Sequence, residues 1–379
     1  MAAVLRPVVA VLLCCVSFQF AQGVLYPLVT VQLVGHRVPT GLIGAIGAIY
    51  FVGFVIGTLS CGRVIDRVGH IRALSVFAVL AANATLLFAV VEPPWPWMLS
   101  RLVLGYAMAG VYVVVESWLN DKATHATRGS IFGVYQVIGW SSSGLAPLML
   151  NLADPMGPDL MILAAAGLAT ALIPVALTRV GDPEIGQRNH FGMRRLIAIS
   201  PTGVAACFVS GLVNSAYFGL LPVYTDARGF STGDLTVVLF AATVGGALAA
   251  LPAGILADRL GRRPVMLAFI AVAAGAAALM VTLDVGTLPV MVALALVFTA
   301  GAGPLYAFGV GQTNDYVMPR DFVAASGGLL CAWAIGASAG SLAGSQAIAV
   351  LGADGLYIYI LAVYAALALG TAVRMARRP

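Results

Sequence analysis

Apolar stretches follow one another along almost the whole chain, each closed by a short polar or turn-forming break. A helix needs roughly 20 apolar residues to cross the hydrocarbon core of a bilayer. Stretches of that order lie at 7–34, 39–61, 72–92, 96–119, 129–152, 159–178, 196–225, 231–256, 264–283, 287–313, 322–350 and 354–374, which predicts twelve transmembrane helices. The breaks carry turn chemistry: Pro39, Pro93-Pro94, Asp154-Pro155 with Gly157-Pro158, Asp284 to Gly286, and Gly352 to Asp354. A membrane barrel would show short alternating segments instead, so the expected fold class is an all-α integral membrane protein. Met1 to Gly23, with its lone Arg6, has the outline of a signal peptide, but the apolar run continues to Val34 and reads as the first span.

Composition narrows the class further. Of 379 residues, 61% are hydrophobic and only 9% charged, with a mean hydropathy of +0.99; a soluble domain is about a quarter charged. Disorder is excluded too, because disordered chains are poor in apolar residues. The net charge of +5 comes from 19 arginines and one lysine, Lys122. These sit singly or in small groups between apolar runs, a topology signal and not a nucleic-acid footprint. With the N-terminus inside, 17 of the 20 basic residues fall in cytoplasmic segments, while Arg37 and Arg228 lie outside and Arg101 within a span. The positive-inside rule therefore places both termini of this multi-pass membrane protein in the cytoplasm. The longest polar connection, 179–195, divides the chain into halves at 1–178 and 196–379. The five cysteines lie in or beside apolar runs with no ligand spacing, so neither a metal site nor a disulfide framework is expected.

The halves look like copies of one unit. Gly62-Arg63-Val64-Ile65-Asp66-Arg67-Val68-Gly69-His70-Ile71-Arg72 follows the second span, and Gly254-Ile255-Leu256-Ala257-Asp258-Arg259-Leu260-Gly261-Arg262-Arg263 follows the eighth. Both fit G-x-x-x-D-R-x-G at a constant offset of 192, which Arg128 and Arg320 repeat. Asn120-Asp121 matches Asn314-Asp315, and Gln19, Pro27 and Thr30 match Asn214, Pro222 and Thr225. Parallel six-helix repeats of this kind build one large class of secondary carriers.

Two such segments at matching positions resemble motif A of the major facilitator superfamily, and the resemblance covers the whole chain. Glu116-Ser117-Trp118-Leu119-Asn120 and Val323 to Leu329 also resemble a branch of bacterial YcaD-like permeases. The implied activity is secondary active transport of a small solute by alternating access, ion-coupled and with the proton as expected ion, by a monomer with no cofactor. By resemblance, Gly62, Asp66, Arg67, Gly69 and Arg72, with Gly254, Asp258, Arg259, Gly261 and Arg262, form gating loops. Each Asp would latch onto a helix start in the opposite half, near 321–326 for Asp66 and 129–132 for Asp258. The physics fits, since a carboxylate at a helix N-terminus meets unpaired N–H groups and the positive dipole end, worth about 0.3–2 kcal/mol. The plainer alternative is that the arginines set topology and the aspartates offset them. His70 stands where the motif usually has a basic residue, which weakens the first latch.

Within the spans, Arg101, Gly105, Met108, Tyr112 and Glu116 fall on one stripe of the fourth helix. An ionisable group there costs about 2.5–3.5 kcal/mol to insert and usually faces a cavity or partner. The matching region around Ala295 and Val310 carries neither charge, so the fold does not require them. Arg101-x-x-x-Gly105 resembles a family motif linked to proton coupling. Arg101 and Glu116 are accordingly the coupling candidates; the alternative for Glu116 is an ion pair with Arg72 or Arg128. Gln19, Gln22 and Tyr26 share a face of the first helix, and Asn214 and Tyr217 one of the seventh, helices that line the cavity in the superfamily. These five are substrate-contact candidates, with Tyr112, Tyr135, Gln136 and Tyr306 beside them. The alternative is polar glue between helices, about 0.6 kcal/mol each.

Two rival classes fare worse. Gly336-Ala337-Ser338-Ala339-Gly340 fits a nucleophile elbow, but all four histidines fall in predicted loops, so an enzyme is not expected. A Walker A loop needs Gly-Lys, and the single lysine follows Asp121. A non-transporting sensor or assembly factor on the same scaffold stays open.

Overall fold

In the computed structural model, residues 8–123, 127–178, 192–283, 285–318 and 322–377 are described, with side chains omitted at 128–130, 322–324 and 375–377. The described chain is helical nearly throughout: α1 (Val9–Gly35), α2 (Thr40–Val68), α3 (His70–Val90), α4 (Trp95–Lys122), α5 (Arg128–Leu145), α6 (Asp159–Thr170), α7 (Ile173–Ala176), α8 (Met193–Ile199), α9 (Pro201–Ala227), α10 (Thr232–Leu260), α11 (Arg262–Thr282), α12 (Leu288–Ala302), α13 (Leu305–Asn314), α14 (Phe322–Leu351) and α15 (Gly355–Arg377). With no water in a hydrocarbon core, the helix is the way a single segment satisfies its own backbone. Eleven helical segments among the described residues are long and apolar enough to span a membrane, taking α6–α7 and α12–α13 as one each. The expected span at 129–152 is α5 continued by a 3-10 turn, Ala146–Asn151. It is not among the eleven; Gln136 and Ser141 to Ser143 interrupt its apolar character.

Two compact units result: unit 1, Met1–His36 with Ile49–Gln187, and unit 2, Arg37–Ala48 with Arg188–Pro379. Unit 2 takes the first turns of α2. There Gly44 O accepts from Ser341 Oγ at 3.0 Å and Ala48 O from Ser338 Oγ at 3.2 Å. A Cβ at Gly44 or Gly47 would strike Ser345 or Ser341, so small residues permit this approach.

The internal repeat is visible in the packing. A Cβ at Gly53 would collide with Leu102 O, and one at Gly245 with Leu296 O, the same type of helix seam in each unit at matching positions. Pro27 and Pro222 both lie inside helices, α1 and α9. Thr225 Oγ1 bonds back to Leu221 O and Pro222 O at 3.0 and 3.1 Å. One difference is local: α4 runs unbroken, whereas Gly303 and Pro304 separate α12 from α13.

Candidate functional site

The two motif segments are helical over most of their length. α2 continues through Asp66 and Arg67 to Val68, and α10 through Asp258 and Arg259 to Leu260. The expected loops are therefore helix ends, because hydropathy marks where an apolar run stops and not where the backbone turns. Only Gly69 and Gly261 leave the helix, at φ 83° and 89°, with ψ of 167° and 146°, a region that essentially only glycine occupies. That accounts for the second glycine of each motif. The first is less constrained in unit 2, where a Cβ on Gly254 meets nothing within 4 Å.

The charges around these turns differ between units. Arg262 Nε lies 2.8 Å from Asp315 Oδ2 on the turn after α13, and its Nη2 lies 3.8 Å from Asp258. His70, the counterpart of Arg262, is buried and its Nε2 is 3.0 Å from Ser117 Oγ on α4. Asp66, Arg67, Arg72 and Arg259 are exposed. Of the stretches expected to receive the aspartates, the one near 321–326 includes Asp321, outside the described residues, and side chains are omitted at 322–324 and at 129–130 of the stretch 129–132.

In unit 1 the α4 stripe turns inward. Arg101 is 3% exposed, and Gly105 and Met108 are buried with it. Gly105 exists for close packing, since a Cβ there would strike Tyr50 O. That approach sets Tyr50 beside the guanidinium: Arg101 Cζ is 5.2 Å from the Tyr50 ring centre and 5.9 Å from that of Tyr26. Gln22 Nε2 donates to Tyr50 Oη at 2.7 Å. Arg101, Tyr26, Tyr50 and Gln22 thus form one cluster from α1, α2 and α4. Sequence reasoning misses Tyr50; its signal is a lone phenol in the apolar run Ile49 to Phe54, three residues before Gly53.

Glu116 lies 15 residues along α4, about 22 Å from Arg101 at 1.5 Å per residue. Its Oε1 is 3.4 Å from Tyr135 Oη of α5, and Tyr112, one turn back, sits edge-on to Phe18 at 5.2 Å. Arg72 is exposed and is not paired with Glu116 among the described residues; the Arg128 side chain lies outside them. Gln19 Oε1 lies against Gly139 of α5, and Gln136 is exposed on the same helix.

In unit 2, Asn214 Nδ2 donates to Ser210 Oγ at 3.3 Å. Tyr217 is buried in an aromatic cluster, 4.6 Å from Phe298 and 6.5 Å from Tyr357 between ring centres. Tyr306 packs on the apolar group around Leu196, Cys207 and Leu329. Arg228, one of the two arginines expected outside, is paired with Asp354. A groove of about 700 Å³ in unit 1 is lined by Leu80, Asn83, Leu87, Leu99 and Ile162 and contains none of the candidate residues. No group of three His, Cys, Asp or Glu that could hold a metal occurs among the described residues.

Known proteins bear directly on this arrangement. The sequence profile of the Major Facilitator Superfamily matches residues 11–246 and 203–379. The uncharacterized MFS-type transporter YcaD of Escherichia fergusonii is 27% identical over 338 residues, covering 88% of this chain and 87% of that relative. Among solved structures, the nucleoside transporter NupG superposes with a TM-score of 0.78 at 14% identity, over 96% of this chain and 98% of that one. The human organic anion transporter MFSD10 gives 0.70 at 16%, over 97% and 99%. At such identities the structures speak for the fold alone, but the profile spans both repeats: the chain belongs to the Major Facilitator Superfamily, a multi-pass membrane transporter of small molecules and not an enzyme.

Proposed function

We propose that this protein is a secondary active transporter that moves a small solute across a bacterial cytoplasmic membrane by alternating access, driven by the proton. The apolar runs support twelve spans and the arginine distribution supports both termini in the cytoplasm, with the halves 1–178 and 196–379 joined by the segment 179–195. The observation that carries the reading is the α4 stripe: a buried guanidinium and, four turns along the same face, a carboxylate whose described partner is a phenol and not a cation. A group expensive to insert is retained in unit 1 and dispensed with at Ala295 and Val310 of unit 2. Glu116 is assigned the proton, Arg101 the organisation of the cavity, and the motif ends around Asp66 and Asp258 the gating. Gln19, Gln22, Tyr26 and Asn214 offer uncharged amide and phenol groups that orient a polar or aromatic solute by hydrogen bonds.

Reconstitution into proteoliposomes tests the coupling. Glu116→Gln should abolish accumulation driven by an imposed pH gradient while substrate exchange continues at a comparable rate. Accumulation by the variant on a proton gradient alone removes Glu116 from the role, and a wild type indifferent to the gradient removes proton coupling altogether.

A further inference from the structure

The cluster around Arg101 has chemistry to spare. Its Nε and Nη1 are buried and meet no hydrogen-bond acceptor among the described residues, and no carboxylate is paired with it there. A guanidinium stays charged in a protein. Burying it without an anion is costly unless something compensates. The rings of Tyr26 and Tyr50 compensate in part, through their negative faces. Ring faces, however, take no hydrogen bond along the edge of the guanidinium, where its N–H groups point. On α1, among the described residues, Gln19 Nε2 is a second buried donor without an acceptor, and Gln22, which donates to Tyr50, has a buried Oε1 without a donor.

On the reading of this protein as a carrier, we propose that Arg101 anchors the anionic group of the transported solute, and that the solute is a monocarboxylate with an aromatic or apolar body. A planar carboxylate matches the fork of donors on one guanidinium. The charge favours one negative charge over two, because Arg101 is the single basic residue lying well within a span. The body of the ligand is set by the wall beyond the arginine. Tyr26, Tyr50, Phe51, Phe54, Tyr112 and Phe18 are linked ring to ring, with centroid separations from 5.1 to 6.4 Å. An aromatic or apolar solute gains edge and face contacts along such a wall. Unit 2 has rings at its centre as well, but the cation at their edge, Arg228 over Tyr224 at 5.5 Å, already has a carboxylate partner in Asp354, so it offers no counterpart.

The test pairs acids with their neutral amides: benzoate with benzamide, phenylacetate with phenylacetamide, and 3-phenylpropionate with its amide. Binding is followed by thermal shift and calorimetry on the purified full chain at constant ionic strength and neutral pH. At least one acid should bind saturably and at least tenfold more tightly than its amide. Arg101→Lys should weaken that acid roughly tenfold, because an ammonium lacks the planar fork, and Arg101→Gln should abolish the preference for acid over amide. The wild-type comparison stands even where a variant fails to fold. Failure of every acid to bind, equal binding of acids and amides, or an acid preference that survives in folded Arg101→Gln overturns the inference. Flux assays separate it from the transport reading. Selective acid binding that depends on Arg101, with no flux of any acid, supports the site and removes transport, whereas flux of amides as fast as acids keeps transport and overturns the site.

Discussion

Units 1 and 2 share a packing seam and differ in what they bury. Gly53 against Leu102 and Gly245 against Leu296 place the paired helices in the same close register. Around that seam, unit 1 sets a guanidinium between two phenols, while unit 2 has Ala295 in the equivalent place and a cluster of Tyr217, Phe298 and Tyr357 nearby. At the motif turn the difference reverses. Unit 2 carries the ionic contact of Arg262 with Asp315, and unit 1 a buried His70 beside Ser117. The fold is thus held by features that both copies keep, and polar chemistry that only one copy keeps marks specialised work. A glycine under a carbonyl is architecture; an arginine with no duplicate is not.

The sharpest way to break this comparison is to move the charge. Ala295→Arg puts a guanidinium into a fully buried site where Leu221 and Ala242 stand at the positions matching Tyr26 and Tyr50, at a cost of about 2.5–3.5 kcal/mol or more. Yield of monodisperse protein from membranes should collapse. Normal yield would mean that unit 2 tolerates a buried cation as well as unit 1 does. Next in size, Gly53→Ala and Gly245→Ala should each destabilise by about 1–3 kcal/mol, since the added methyl meets backbone and not a movable side chain. Thermal unfolding of the purified variants gives the comparison, and a large cost in only one of them would show that the seams are not equivalent.

The smallest effects separate the motif turns. Asp315→Asn removes a partly exposed ion pair, worth up to about 1 kcal/mol and weakened by salt. Ser117→Ala removes one hydrogen bond to His70, about 0.6 kcal/mol on average between membrane helices. Asp315→Asn should melt below wild type at low ionic strength and converge with it at high ionic strength, where salt screens the wild-type pair, whereas Ser117→Ala should keep its offset at both. The opposite salt behaviour would exchange the roles assigned to the two turns.

Much of this is legible in the sequence because membranes impose a simple code. Each continuous apolar run falls on a helical segment, although α5 is too weakly apolar to count among the clear spans. The 192-residue offset locates the repeat, and the matched prolines fall inside matched helices. Helix ends are harder to read, since Arg and Asp continue a helix readily once the apolar run is over, and α2 and α10 absorb most of the motif segments. Stripe reasoning places Arg101 on an inward face of α4. It cannot supply Tyr50, which comes from another helix and is brought in by the absence of a side chain at Gly105. Likewise the Arg262–Asp315 pair joins residues 53 apart, a separation that no local pattern encodes. Periodicity assigns a residue to a face; which neighbour waits there is decided by tertiary packing.

The two rings beside Arg101 also bear on how the protein is made. Tyr26 and Tyr50 lie in α1 and α2, ahead of α4 in the chain, so the ribosome delivers them first. When Arg101 leaves the insertion machinery, its aromatic neighbours are already in the bilayer, and the helix can be received by them and spared a wait in lipid with a bare charge. Chain order here acts as an assembly instruction. A permuted gene that encodes α4 ahead of α1 and α2 would keep every contact of the finished cluster and yet present the guanidinium to the membrane with nothing to meet it.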